Sequence, residues 1–185
     1  IYMRKGFTLI ELLIVIAILA VVSTVVMLVL NPLELLARAR DSQRISDLAN
    51  VKKSVARYLT TSVSPTLPSM NQGYATVSTT CGFASSSTCT VVTSTAVTGL
   101  GWVPIDLTQS AGGAGMSSLP RDPTNSVSYQ YAFLTNKARV TFKILGRLES
   151  TKYKDTMKND GGIKNNCTTY LENQCWYELG TDMSL

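Results

Sequence analysis

Arg4-Lys5-Gly6-Phe7-Thr8-Leu9-Ile10-Glu11 opens the decisive stretch of this chain, and an unbroken apolar run follows it to Leu30. Of the twenty-four residues from Phe7 to Leu30, only Thr8, Glu11, Ser23 and Thr24 are polar. A bilayer core takes about 20 apolar helical residues, so this run is long enough to span one. Arg4 and Lys5 flank its start and predict that this end faces the cytoplasm, with the remainder of the chain outside. A secretory signal peptide has a shorter apolar core closed by a small-residue cleavage site, and no Ala-x-Ala closes this one. Glu11 sits inside the run. A carboxylate at membrane depth is costly, which makes it a functional residue in search of a partner.

Asn31-Pro32 interrupts the run, and proline there predicts a kink or a locally unwound turn. Beyond it, Leu33 to about Ser62 is helical in pattern. Ile45, Leu48, Val51, Val55 and Leu59 recur at steps of three and four, while Arg38, Arg40, Asp41, Arg44, Asp47, Lys52, Lys53 and Arg57 fill the other faces. The first half of the helix is thus apolar all round and the second amphipathic. Pro65 and Pro68 end it.

Thirteen of the twenty-five residues from 74 to 98 are Ser or Thr, which suits exposed strands or a pinned loop, with or without sugars on the hydroxyls. Ser126–Leu134 alternates through Val127, Tyr129, Tyr131 and Phe133. Thr135-Asn136-Lys137 reads as a turn, and Ala138–Leu148 alternates again through Val140, Phe142 and Ile144, predicting a hairpin. Cys175–Leu179 adds a short strand, and Trp102–Ile105 is expected as an edge strand because Pro104 disfavours a central place. The sheet needs a cover, and the amphipathic helix is the one long candidate.

The 185 residues suffice for one compact domain plus an extended element. The chain has no histidine, which removes the commonest general base and metal ligand and every Ser-His or Cys-His nucleophile. The net charge is +5, but the basic residues are spread along the chain and not interleaved with aromatics, so nucleic-acid binding is without support. Gly112-Gly113-Ala114-Gly115 lacks the lysine and the flanking strand and helix of a phosphate cradle. Four cysteines allow three connectivities. Each neighbouring pair encloses a short polar loop, so local disulfides Cys81–Cys89 and Cys167–Cys175 are expected in an exported, oxidising setting, rather than a zinc site, whose ligand spacings are shorter.

Lys5-Gly6-Phe7-Thr8-Leu9-Ile10-Glu11-Leu12-Leu13-Ile14-Val15-Ile16-Ala17-Ile18-Leu19-Ala20 resembles the N-terminal signature of bacterial type IV prepilins and of the related type II secretion pseudopilins. Leu119-Pro120-Arg121-Asp122-Pro123, followed by Tyr129 and Tyr131, is similar to a segment of major-pseudopilin-like members, as is Asn159-Asp160-Gly161-Gly162 before Tyr177-Glu178-Leu179. The expected fold is α+β: a long N-terminal helix, broken near Asn31-Pro32, packed on a small antiparallel β head. The expected divisions are a leader at 1–6, a hydrophobic helix at 7–32, an amphipathic helix at 33–62, and a head at 63–185 with two disulfide loops.

The resemblance implies a structural subunit rather than an enzyme. A prepilin peptidase would cut after Gly6 and methylate the new amine of Phe7. The subunit would wait in the cytoplasmic membrane until an inner-membrane platform driven by an ATPase builds it into a helical homopolymer at the cell surface. Adhesion, motility and DNA uptake are the roles this implies, and a secretion pseudopilus is the alternative. Glu11 would offset the charge of the Phe7 amine in its own or a neighbouring subunit. If the leader stays, Arg4 or Lys5 takes that part. No cofactor is implied except calcium. Asp155, Asn159, Asp160 and Asp182 carry oxygens of the kind it needs, although Asp160-Gly161-Gly162 also reads as an ordinary turn. A single-pass membrane enzyme or receptor fits worse, because a plain anchor has no use for Glu11.

Overall fold

The computed structural model describes residues 6–68, 73–79, 89–138, 140–165, 167 and 175–185. The chain divides at Ala37/Arg38 into two units. The first carries helix α1 (Leu9–Leu30), and helix α2 (Pro32–Thr61) begins in it. Leu9–Met27 has the length and composition to cross a membrane, and none of it is buried.

The helices part at one residue. Asn31 caps α1 with left-handed backbone (φ 40°, ψ 78°), a conformation Asn tolerates better than most residues. Its carbonyl then accepts from the N–H groups of Glu34 and Leu35 at 3.0 and 3.2 Å, so Asn31 ends one helix and starts the next. Pro32 takes the first position of α2, where its missing N–H leaves nothing unsatisfied. The expected break is therefore an abrupt termination and restart.

The second unit holds β1 (Gly73–Ala75), β2 (Cys89–Val91), a 3₁₀ turn (Leu107–Gln109), β3 (Ala132–Asn136), β4 (Thr141–Gly146), α3 (Lys154–Lys158) and β5 (Tyr177–Gly180). The sheet order is β2-β1-β3-β4-β5. It is mixed rather than wholly antiparallel, because β1 and β2 run parallel while the other pairs are antiparallel. The β3–β4 hairpin is present, with Phe133 opposite Ile144. It is shorter than the alternation suggested. Val127 lies outside the strands and is exposed, and Val140 takes left-handed backbone (φ 54°) in the turn before β4.

Both faces of the sheet are buried. On one, Phe133, Phe142, Ile144 and Tyr177 pack against Leu48, Val51, Val55 and Tyr58 of α2. Trp102, Ile105 and Leu107 complete that core. On the other face Ala132, Leu134, Leu145 and Trp176 form a second cluster. Trp102–Ile105 is not an edge strand. Trp102 is fully buried, lies 5.8 Å from the Tyr131 ring, and donates its Nε1–H to the Pro120 carbonyl at 3.0 Å. A buried indole needs that acceptor, and the bends of 101–103 deliver it.

Candidate assembly site and the locks of the head

The carboxylate inside the apolar run is held by its own helix start. Thr8 is the N-cap of α1, and Thr8 with Glu11 forms a capping box. The Thr8 N–H and hydroxyl both donate to Glu11 Oε2, at 2.9 and 3.0 Å, and the Glu11 N–H donates to Thr8 Oγ1 at 3.3 Å. Glu11 Oε1 takes no partner among the described residues, so one oxygen is satisfied and the other is open. Phe7 directly precedes this cap and is 79% exposed. Arg4 and Lys5 lie outside the described residues, as does most of the 1–6 leader. The capping box is legible in the sequence as Thr8-x-x-Glu11 ahead of an apolar run, a helix-start pattern distinct from the cost of a carboxylate at membrane depth.

The head is fastened to α2 by a buried charge cluster that periodicity alone assigned to solvent. Asp41 and Arg44 are fully buried, contrary to their expected place on the polar faces. Arg44 donates from Nε and Nη2 to Asp122 Oδ2 and Oδ1 (2.7 and 3.0 Å). It donates from Nη1 to Asp41 Oδ1 (2.9 Å) and Glu149 Oε1 (2.7 Å), and from Nη2 also to Thr124 Oγ1 (2.9 Å). All five guanidinium N–H groups are therefore used. The Tyr129 ring covers the guanidinium carbon at 4.8 Å. Asp41 also accepts from the N–H groups of Glu149 and Ser150. The half-exposed Arg40 grips Glu149 at 2.5 and 3.1 Å. Burial works against the charge on Glu149, yet these two guanidinium groups hold its carboxyl below the usual range. Nearby, Asp47 receives Tyr131 Oη–H at 3.1 Å and Gln43 at 2.6 Å. Burial still raises its carboxyl above the ordinary aspartate value.

A second buried pair closes the far side of the sheet. Lys143 on β4 meets Glu178 on β5 at 2.6 Å, both wholly buried, and its ammonium also donates to the carbonyls of Met183 and Leu185. Asp160 accepts from the N–H groups of Gly162 (2.8 Å) and Glu178 (2.7 Å), and burial raises its carboxyl above the usual range. Gly162 leaves no room for a side chain, since a β-carbon there would run into the Glu178 carboxylate.

The other expected sites fall as follows. Cys167–Cys175 is a disulfide. The Cys81–Cys89 expectation involves Cys81, which lies outside the described residues. Two of the calcium candidates accept hydrogen bonds from their own surroundings. Asp160 gives both oxygens to backbone N–H groups, and Asp182 caps Ser184. Among the described residues no group of three or more His, Cys, Asp or Glu side chains could hold a metal ion. The glycine loop offers carbonyls rather than amides: Ala111 and Gly113 accept from Arg57, with Gly112 and Gly113 at positive φ.

Residues 2–27 match the family model of the prokaryotic N-terminal methylation motif. The chain therefore carries a type IV prepilin-like signature on a long helix followed by a small mixed-sheet head, the make-up of a type IV pilin-like or pseudopilin protein. No curated protein sequence and no solved structure matches it significantly. That motif points to a structural protein rather than an enzyme, and it fits a membrane-anchored precursor.

Proposed function

We propose that this chain is the structural subunit of an extracellular type IV pilus. It is held in the cytoplasmic membrane by α1 and then built into a helical homopolymer through the same helix. One observation carries the reading: an apolar helix with no buried residue over its span bears a carboxylate with one oxygen capped and one open. A helix that is apolar all round explains an anchor, and the carboxylate within it calls for a cationic partner that assembly can supply.

Cleavage after Gly6 by a prepilin peptidase frees an amine on Phe7, and methylation leaves that amine cationic. The amine of a neighbouring subunit supplies the positive partner that a buried carboxylate requires. Such a pair acts as a register device more than as a net source of stability. Adhesion, motility and DNA uptake are the roles open to such a filament. The pseudopilin reading rests on the Leu119–Pro123 and Asn159–Gly162 similarities and keeps the same helix chemistry.

Glu11→Ala tests the reading. Membrane insertion should be unchanged, while filaments recovered by shearing the cell surface should fall to background. Normal filaments from that variant would refute the assembly role. Mass spectrometry of the N-terminal peptide of wild-type filaments should find N-methyl-Phe7, and an intact Lys5-Gly6-Phe7 sequence would reassign the partner to Arg4 or Lys5. Absence of sheared wild-type filaments, with the chain confined to the envelope, would favour the pseudopilus.

A further inference from the structure

Along α2, Asn50, Lys53, Ser54 and Arg57 follow one another at steps of three and four and so share one patch of the helix surface. With Gly115 and Met116 they line an open cavity of about 300 Å³. Arg57 is oriented by the glycine loop. Its Nε donates to the Ala111 carbonyl at 3.1 Å, and its Nη2 to the carbonyls of Ala111 and Gly113 at 2.7 and 2.9 Å. Both N–H groups of Nη1 are left over. A β-carbon on Gly115 would lie 3.3 Å from Arg57 Nη1 and 3.6 Å from Ser54 Oγ, so these two atoms converge on a spot that glycine leaves empty. Ser54 is only 7% exposed, and its hydroxyl has no hydrogen-bond partner among the described residues. Lys53 is exposed, and among the described residues its ammonium has neither an ion pair nor a hydrogen bond. No carboxylate lines this cavity.

A guanidinium edge, a hydroxyl and an ammonium thus surround one open space, and all three can donate. Two are cationic, which calls for a doubly charged anion. The fork of Nε and Nη2, which matches a planar carboxylate, is already spent on carbonyls. Three separate donors suit instead the three terminal oxygens of a phosphate monoester. A smaller cavity of about 140 Å³ adjoins, sharing Asn50 and Met116 and adding Ser118, Pro120 and Asp47. Asn50 and Ser118 are exposed, neutral and polar, partners for hydroxyl groups, while Asp47 repels a second anionic group there. No aromatic side chain lines either cavity, so the bases of a nucleic acid strand would find nothing to stack on. We propose that this site binds the phosphate monoester of a small polyol. Its phosphoryl oxygens accept from Lys53, Ser54 and Arg57 Nη1, and its hydroxyls meet Asn50 and Ser118. The site belongs to the head and does not depend on filament formation.

The test uses the full chain dispersed in a neutral polyoxyethylene detergent, titrated by calorimetry with glycerol 3-phosphate, glycerate, glycerol, inorganic phosphate and a single-stranded oligonucleotide. Glycerol 3-phosphate should bind saturably, with glycerate and glycerol at least about tenfold weaker and inorganic phosphate several-fold weaker for want of the polyol arm. Lys53→Gln, a substitution at an exposed position, should weaken glycerol 3-phosphate about tenfold through loss of one charge-assisted hydrogen bond. Ser54→Ala should weaken it several-fold. Asn50→Ala should bring glycerol 3-phosphate down to the level of inorganic phosphate and leave inorganic phosphate itself unchanged, a split that general damage to the helix would not produce. The proposal is overturned if glycerol 3-phosphate does not bind saturably, if glycerate, inorganic phosphate or the oligonucleotide binds as tightly, or if Lys53→Gln binds glycerol 3-phosphate like wild type. Because the chain is dispersed, the outcome is separate from whether it forms a pilus.

Discussion

Replacing Arg44 with leucine should cost the head about 3–5 kcal/mol, the size seen when one partner of a buried ion pair is removed. The guanidinium uses its five N–H groups on Asp41, Asp122, Glu149 and Thr124, and the Arg44, Asp41 and Asp122 side chains are wholly buried. Leucine leaves two buried carboxylates without their cation. Each keeps some backbone donors: Glu149 and Ser150 N–H for Asp41, Thr124 and Asn125 N–H for Asp122. Those remaining bonds place the expected loss toward the lower end of the range. Arg44→Lys should recover less than about half of it, because one ammonium cannot reproduce a planar fork gripping three carboxylates. Arg40→Ala removes a cation from the same Glu149, but its side chain is 38% exposed to screening solvent, and it should cost far less than Arg44→Leu. Urea unfolding of the full chain in micelles reads the difference through tryptophan fluorescence, since Trp102 and Trp176 are both buried in the head. A loss below about 1 kcal/mol for Arg44→Leu would mean that the cluster is ordinary surface-type electrostatics and that the lock does not exist.

Lys143→Met strands Glu178 in the sheet with only the Lys164 N–H as donor, and should destabilise by about 3–5 kcal/mol in the same assay. Removing the Cys167–Cys175 bridge by replacing both cysteines with alanine should lower stability by about 2–3 kcal/mol on the loop-closure model for a separation of 8 residues, read as an equal shift under oxidising conditions only. Asp47 has its folded-state pKa raised, so the folded protein holds that proton more tightly than the unfolded chain. This residue therefore makes stability fall as pH rises from the ordinary aspartate value of about 3.9 through its raised value. Asp47→Asn removes that decrement, and its melting temperature relative to wild type should rise between pH 4 and pH 7. A flat difference would assign Asp47 an unperturbed carboxyl. Glu149 acts in the opposite sense: its stabilisation is present above about pH 4.3 and is lost as pH falls through its lowered value.

The elements that could be read from the sequence were those whose signal is local. All of the 22 residues of α1 but Glu11, Ser23 and Thr24 are apolar, α2 repeats at three and four, and the β3–β4 hairpin alternates around a short turn. Cys167 and Cys175 sit eight apart and pair. Signals that depend on distant partners were invisible. Asp41 and Arg44, three apart on a helix, look like a solvated ion pair, and only the arrival of Asp122 and Glu149, 78 and 105 residues beyond Arg44, turns them inward. The parallel β1–β2 pair has strands of three residues each, too short to show any period. Trp102–Ile105 has strand-like composition but is bent so that the indole reaches Pro120. At the assembly site Glu11 stood out by cost alone, while its immediate partner Thr8 was legible only as a helix-start pattern.

Asn31 has a mechanical meaning beyond ending a helix. Helical order spreads because each turn lends its hydrogen bonds to the next, and that lending stops where one residue turns left-handed and its successor has no N–H. α1 and α2 are thus two separate cooperative blocks in series. Strain that frays one has no ladder along which to unzip the other. A pull on the head can exhaust itself at a single peptide joint while the apolar block keeps its shape and the capped Glu11 its geometry.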